Sequence, residues 1–95
     1  AKFLFADLSG VDFTGANLTA AVLRGARLDG AAFGEANLTL VRAAGVRLAG
    51  ASLTGAQLTG ADLTLADLDG ADFAGADTQD IRVDGATGNH TLGLQ

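Results

Sequence analysis

The sequence predicts an all-β solenoid, a chain that coils into stacked short strands around a narrow apolar interior. Three observations predict it. A large apolar residue recurs every fifth position, a small apolar residue stands two places before it, and Gly dominates two places after it. The large residues, termed centres below, fall at 3, 8, 13 and every fifth position to 83 without an insertion. Ten of these seventeen are Leu and four are Phe (Phe3, Phe13, Phe33, Phe73), so the core positions are marked directly. The small partner is Ala at thirteen positions, with Val11, Val41, Val46 and Ile81 as the exceptions.

Each observation has a physical reading. Two apolar residues two apart lie on one face of an extended segment. The next apolar residue follows three later, so the chain must turn in between. A turn every five residues favours Gly, which adopts positive φ and tolerates close backbones. The small partner is Ala because it shares a narrow interior with Leu and Phe. A helix is excluded, since residues five apart lie about 140° apart around an axis with 3.6 residues per turn. A chain that turns repeatedly in one sense with one face inward must coil, with backbone hydrogen bonds running between coils.

Residues 6–10 (ADLSG), 16–20 (ANLTA), 61–65 (ADLTL) and 66–70 (ADLDG) make the chain resemble the pentapeptide-repeat family, whose motif is approximately A(D/N)LXX. The resemblance covers residues 1–85 and implies a right-handed quadrilateral β-helix with four pentapeptides per coil. The expectation is just over four coils, roughly 20 Å of rod at about 4.8 Å per coil. A twenty-residue period stacks Phe13, Phe33 and Phe73 in one column interrupted by Leu53. It also stacks Asn17, Asn37, Gln57 and Asp77, which predicts a ladder of side-chain hydrogen bonds. A fifteen-residue coil scatters both sets. The predicted domain is residues 1–85, with 86–95 as a C-terminal cap or loose tail; Ile81 and Val83 are expected to face inward.

Local departures follow from volume. Ala43 is small for a centre, and the enlarged neighbours Val41 and Val46 are read as compensation rather than as the rim of a ligand cavity. Thr78 at a centre marks a weakening last coil. Leu40 and Leu65 replace the usual Gly, and Leu4 and Phe5 face outward beside a coil end that carries Phe3. Such an end is an edge that invites pairing, so Phe3, Leu4 and Phe5 form the candidate end interface, for an upstream domain or an end-to-end homodimer. The beginning in mid-pattern, without Met, is read as a processed product or a piece of a longer protein.

Composition narrows the function. The sequence has no Cys, which excludes disulfides and thiolate metal sites. Its formal net charge of −5 opposes direct binding to nucleic acid. No apolar run is long enough to span a membrane as a helix, and no signal segment is visible at the start, so the expected location is cytoplasmic. No cofactor is expected. His90 is the single His and lies in the fading tail, and Ser9 and Ser52 have no base near them, so no enzyme is predicted. Calcium-binding Gly-Gly-x-Gly-x-Asp spacing is missing.

Charge is distributed unevenly. Residues 61–80 hold Asp62, Asp67, Asp69, Asp72, Asp77 and Asp80 with no base, the candidate acidic partner surface, whereas residues 41–60 hold Arg42 and Arg47 and no acid. By side of the predicted coil, one face is net +2 and the others −2, −3 and −2. The alternative is that Asp is only the favoured outward residue of the repeat. The sequence therefore predicts a non-enzymatic scaffold or protein-interaction module of unidentified partner. The resemblance implies a second possibility, a DNA mimic that binds DNA gyrase or topoisomerase IV and protects bacteria from quinolones; the acidic coil suits it, while the short rod and the basic face do not.

Overall fold

The computed structural model describes residues 2–88 and shows a right-handed β-helix with four pentapeptides per coil. Every pairing has the same register: parallel bridges join Lys2 to Val22, Asp7 to Arg27, Asp12 to Ala32 and Asn17 to Asn37, and so on at intervals of twenty. The period is set by three backbone bonds per pentapeptide. The N–H of a centre and the N–H two later donate to the following coil, as Phe33 does to Ser52 (2.7 Å) and Glu35 to Thr54 (2.9 Å). The residue before the centre donates to the preceding coil, as Asn37 does to Ala16 (2.9 Å). Little backbone polarity is left unsatisfied in the middle of the rod, which lets such short strands persist.

The corners close with i→i+3 bonds such as Ala36 N–H to Phe33 O at 3.0 Å. The third residue of each turn has φ between +55° and +74°, while the second does not enter the positive region, the signature of a type II turn. That is why Gly recurs at every fifth position. Phe5, Ala20, Glu35, Leu40, Leu65 and Asp80 adopt the same left-handed conformation without the freedom of Gly.

The interior holds the centres and the Ala column. Phe33, Leu28, Leu53, Leu58, Leu63 and Leu68 are fully buried, and no polar side chain is buried among the described residues. Phe13 stacks on Phe33 with centroids 5.1 Å apart and rings 9° from parallel, as the column of Phe predicts. Ala43, Val41 and Val46 are all buried, so the enlarged Val residues do occupy the space an ordinary centre would fill. An apolar void of roughly 10 Å³ remains beside them. It has room for about one water and no polar partner to hold it.

The coil pattern persists a little beyond Gly85. Ala86 packs on the core, and Thr87 pairs with Asp67 and donates its N–H to Ala66 O at 2.9 Å. Gly88 then stands where a centre belongs but has φ +72°, so the period ends there. Thr78, Ile81 and Val83 are half-buried. Of the cap or tail expected at 86–95, the residues beyond Gly88, including His90, lie outside the described residues.

Candidate interaction surfaces

The four sides of the rod are named here by the residues that begin the chain. Face 1 comprises 2–5, 21–25, 41–45, 61–65 and 81–85; faces 2, 3 and 4 begin at residues 6, 11 and 16 with the same period. Face 1 carries Lys2, Arg24, Arg42 and Arg82 against Asp62 and Asp84.

The acidic residues do not form one face. Asp62 lies on face 1, Asp67 and Asp69 on face 2, Asp72 on face 3, and Asp77 and Asp80 on face 4, so they girdle a single coil. A flat partner docked on one side meets at most two of the six. Four of them also have a local task. The Oδ1 atoms of Asp62, Asp67, Asp72 and Asp77 accept the backbone N–H two residues on, at 3.0, 3.1, 2.9 and 3.1 Å. Asp12, Asn17 and Asn37 make the same bond. This Asx turn sets up the corner, and it is the physical reason the repeat favours Asp or Asn before its centre.

The expected side-chain ladder of Asn17, Asn37, Gln57 and Asp77 does not form. Their backbones pair in register, but Asn17, Asn37 and Asp77 each spend the side-chain oxygen on their own turn. A local N–H donor two residues away wins over a neighbour one coil away.

Electrostatics follows these bonds. The Thr64 hydroxyl and N–H, followed by Arg82 and Arg42, hold the Asp62 carboxyl below its ordinary range. Asp7 is lowered by the Ser9 N–H and hydroxyl and, less, by Arg27, and Asp12 by the Thr14 hydroxyl and N–H. Arg47 turns to Asp29 at 3.6 Å rather than to Asp67, the one ion pair within 4 Å among the described residues. Its exposed setting makes it worth less than about 1 kcal/mol.

The candidate end residues separate. Phe3 enters the interior and meets Phe13 edge to face at 6.5 Å. Leu4 and Phe5 stay outside, and the Phe5 ring lies along the corner against Gly25, where a Cβ would sit 2.5 Å from its ring carbons. The N–H groups of Asp7, Asp12 and Asn17 have no acceptor among the described residues. Among those residues no group of three or more His, Cys, Asp or Glu could hold a metal, and no helix is long and apolar enough to cross a membrane.

The family model for pentapeptide repeats matches residues 1–42 and 44–77 in eight copies, interrupted at Ala43, the undersized centre. The chain belongs to the pentapeptide-repeat family. No curated protein matches the sequence. Among solved structures, HetL of Nostoc sp. strain PCC 7120, a pentapeptide-repeat protein involved in heterocyst differentiation regulation, is similar with 38% identity and a TM-score of 0.86. The similarity covers 90% of this chain and 39% of HetL, so the chain spans about two fifths of that protein. The pentapeptide-repeat protein alr5209 of Nostoc PCC 7120 is 27% identical with a TM-score of 0.50, covering 87% of this chain and 80% of that one. QnrB1, a plasmid-mediated fluoroquinolone resistance protein, shares the fold at 19% identity and a TM-score of 0.54, over 92% of this chain and 59% of its own.

Sequence reasoning missed one arrangement, the concentration of left-handed non-Gly residues on the corners beside face 1. The signal was present: writing the sequence in rows of twenty places Phe5 and Leu65 in one column and Ala20, Leu40 and Asp80 in another.

Proposed function

We propose that this pentapeptide-repeat rod is a non-enzymatic interaction module, a rigid scaffold that presents differently charged flat sides to protein partners. The observation that carries this reading is the strong contrast of charge between the sides of a rod whose interior is packed with apolar side chains. The interior void is too small for a ligand, while the sides range from net +2 to −3. Rigid repeat rods of this kind act through their extended surfaces. The role of HetL in regulating differentiation is compatible with such docking. The N–H groups of Asp7, Asp12 and Asn17 and the exposed Leu4 and Phe5 offer a further contact surface, for another coil of the same polypeptide or a second copy.

The test is residue-specific photocrosslinking in cells that express the protein, with the probe placed at Arg42, Ser52, Gln57 and Asp67 in turn. The expected result is a protein adduct of defined mass from one or two faces only. Adducts from every face alike, or from none, would sink the reading.

A second reading is supported by the six carboxylates of residues 61–80. In it the rod stands in for DNA on gyrase or topoisomerase IV, with affinity falling as salt rises. Inhibition of gyrase supercoiling, titrated at low and moderate salt, tests it. Asp62, Asp67 and Asp72→Asn should abolish inhibition while keeping the coil, because Asn17 and Asn37 already make the same turn bond. No inhibition at high protein excess removes gyrase as the target.

A further inference from the structure

Writing the exposed residues by face reveals an asymmetry that the repeat does not require. The exposed large apolar side chains are Leu4, Phe5, Val11, Leu40 and Leu65. All but Val11 lie on face 1 or on the two corners that border it. The same corners hold five of the six non-Gly residues with positive φ: Phe5 and Leu65 at the end of face 1, and Ala20, Leu40 and Asp80 just before it. By contrast, the corner between faces 2 and 3 is Gly at 10, 30, 50 and 70 throughout. Strained backbone persists where something else requires the side chain. Leu40 and Leu65 each reach across the Gly one coil on, with Cδ2 atoms 2.8 and 2.6 Å from where a Cβ on Gly60 or Gly85 would stand. Gly60 and Gly85 therefore leave room for an exposed Leu on each margin of face 1, with Phe5 a second apolar side chain on one margin and Asp80 an acid on the other.

Between those margins runs a basic strip. Lys2, Arg42 and Arg82 share its central column with Val22 and Asp62, and Arg24 stands at its corner. None of the four cations has an ion-pair partner within 4 Å among the described residues. Asp62 sits between Arg42 and Arg82 but directs an oxygen to Thr64.

We propose that face 1 and its two margins form a docking surface for an acidic polypeptide segment that carries apolar side chains. The proposal rests on the interaction-module reading and names the chemistry of one partner. Charge complementarity selects the acid, and the apolar margins demand more than charge. A segment narrow enough to lie within one face avoids faces 2 and 4, each net −2. A nucleic acid or an anionic bilayer is broad enough to bring those faces within a Debye length of its own charge. A second copy offers acid on face 3, but its outward residues there include Ala32, Gly34, Ser52 and Ala74, and Val11 is its one exposed large apolar side chain, too few to cover both Leu40 and Leu65.

The experiment uses the whole purified chain and fluorescein-labelled synthetic peptides, read by anisotropy. Two probes carry Glu and Leu, one strictly alternating and one with Leu at helical spacing; a Lys–Leu and a Glu–Ser peptide are the controls. Saturable binding of a Glu–Leu peptide is expected, weakening with salt, with both controls at least about tenfold weaker. The double variant Leu40→Gly, Leu65→Gly should weaken binding about tenfold while its far-ultraviolet circular dichroism stays unchanged, since Gly fills most of the other corners. Arg42→Gln should weaken it too, and Asp72→Asn on face 3 should not. The proposal is overturned if neither Glu–Leu peptide binds, if the Lys–Leu peptide binds as well, or if the double variant binds normally. Concentration-dependent self-association abolished by the double variant would assign the surface to a second copy instead. Photocrosslinks from Ser52, Gln57 or Asp67 combined with peptide failure would keep the interaction module and reject this partner.

Discussion

Phe13 and Phe33 occupy one column, one coil apart, and their surroundings differ. Phe33 is 1% exposed, with Phe13 on one side and Leu53 on the other; Phe13 is only half-buried, because its coil has no described neighbour before it. Phe3, in the same first coil, is also half-buried. The residue type and register are the same. What changes is the number of stacked coils. In a solenoid, burial is supplied by adjacent repeats, so an identical pentapeptide contributes differently at an end and in the middle.

The largest expected effect tests that difference. Phe33→Ala should cost about 3–5 kcal/mol, the range for truncating a fully buried aromatic. Phe3→Ala should cost on the order of 1 kcal/mol, in keeping with its partial burial. A total stability of about 5–15 kcal/mol makes the first close to unfolding and the second mild. Urea denaturation followed by circular dichroism measures both. Equal losses would mean that the first coil is as well packed as the second, and the contrast would fail.

A smaller effect is expected at Ala43, where the middle of the rod departs from its own rule. Restoring the usual Leu should destabilise by about 1–3 kcal/mol, because the remaining void of roughly 10 Å³ cannot take the added carbons. Combining Ala43→Leu with Val41→Ala and Val46→Ala should recover much of the loss. Stabilisation by Ala43→Leu alone would show that Val41 and Val46 do not occupy the missing volume.

The interior was therefore legible from sequence to the level of single side chains. Centres every five residues and Ala two before them place Leu28, Leu53, Leu58 and Leu63 in the core, and the twenty-residue alignment places Phe13 on Phe33. Inward positions are legible because few residue types satisfy a narrow apolar interior. Outward positions are not. The ladder of Asn17, Asn37, Gln57 and Asp77 is correct in register but wrong in bonding, since register follows from the backbone and bonding from a local competition. Asp62 to Asp80 look like one acidic block in the linear sequence, whereas turning every five residues spreads them around the rod. The margins of face 1 were visible as replaced Gly residues, but their strain required φ values.

The smallest effect concerns Asp62, and it separates the two kinds of outward residue, those that build the turn and those that only carry charge. Its carboxyl is held below the ordinary range by the Thr64 hydroxyl and N–H, then by Arg82 and Arg42. A depressed folded-state pKa gives stability that is fully present above the unfolded value, near 3.9, and is lost as pH falls through the folded value. Wild-type stability should therefore decline on the acid side below about pH 4, with Asp62 one contributor. Asp62→Asn keeps the Oδ1 acceptor for Thr64 and loses the charge that strengthens that bond and attracts two exposed Arg residues. At neutral pH it should change stability by no more than about 0.5 kcal/mol. Asp62→Ala loses the turn bond as well and should cost about 1 kcal/mol. The acid decline should become shallower in both variants, because neither titrates at this site. Denaturation midpoints at pH 3 and pH 7 resolve the cases: if Asn behaves as Ala does at neutral pH, the carboxylate matters as a charge rather than as a turn acceptor. The repeat's preference for Asp or Asn would then need an explanation other than the Asx turn.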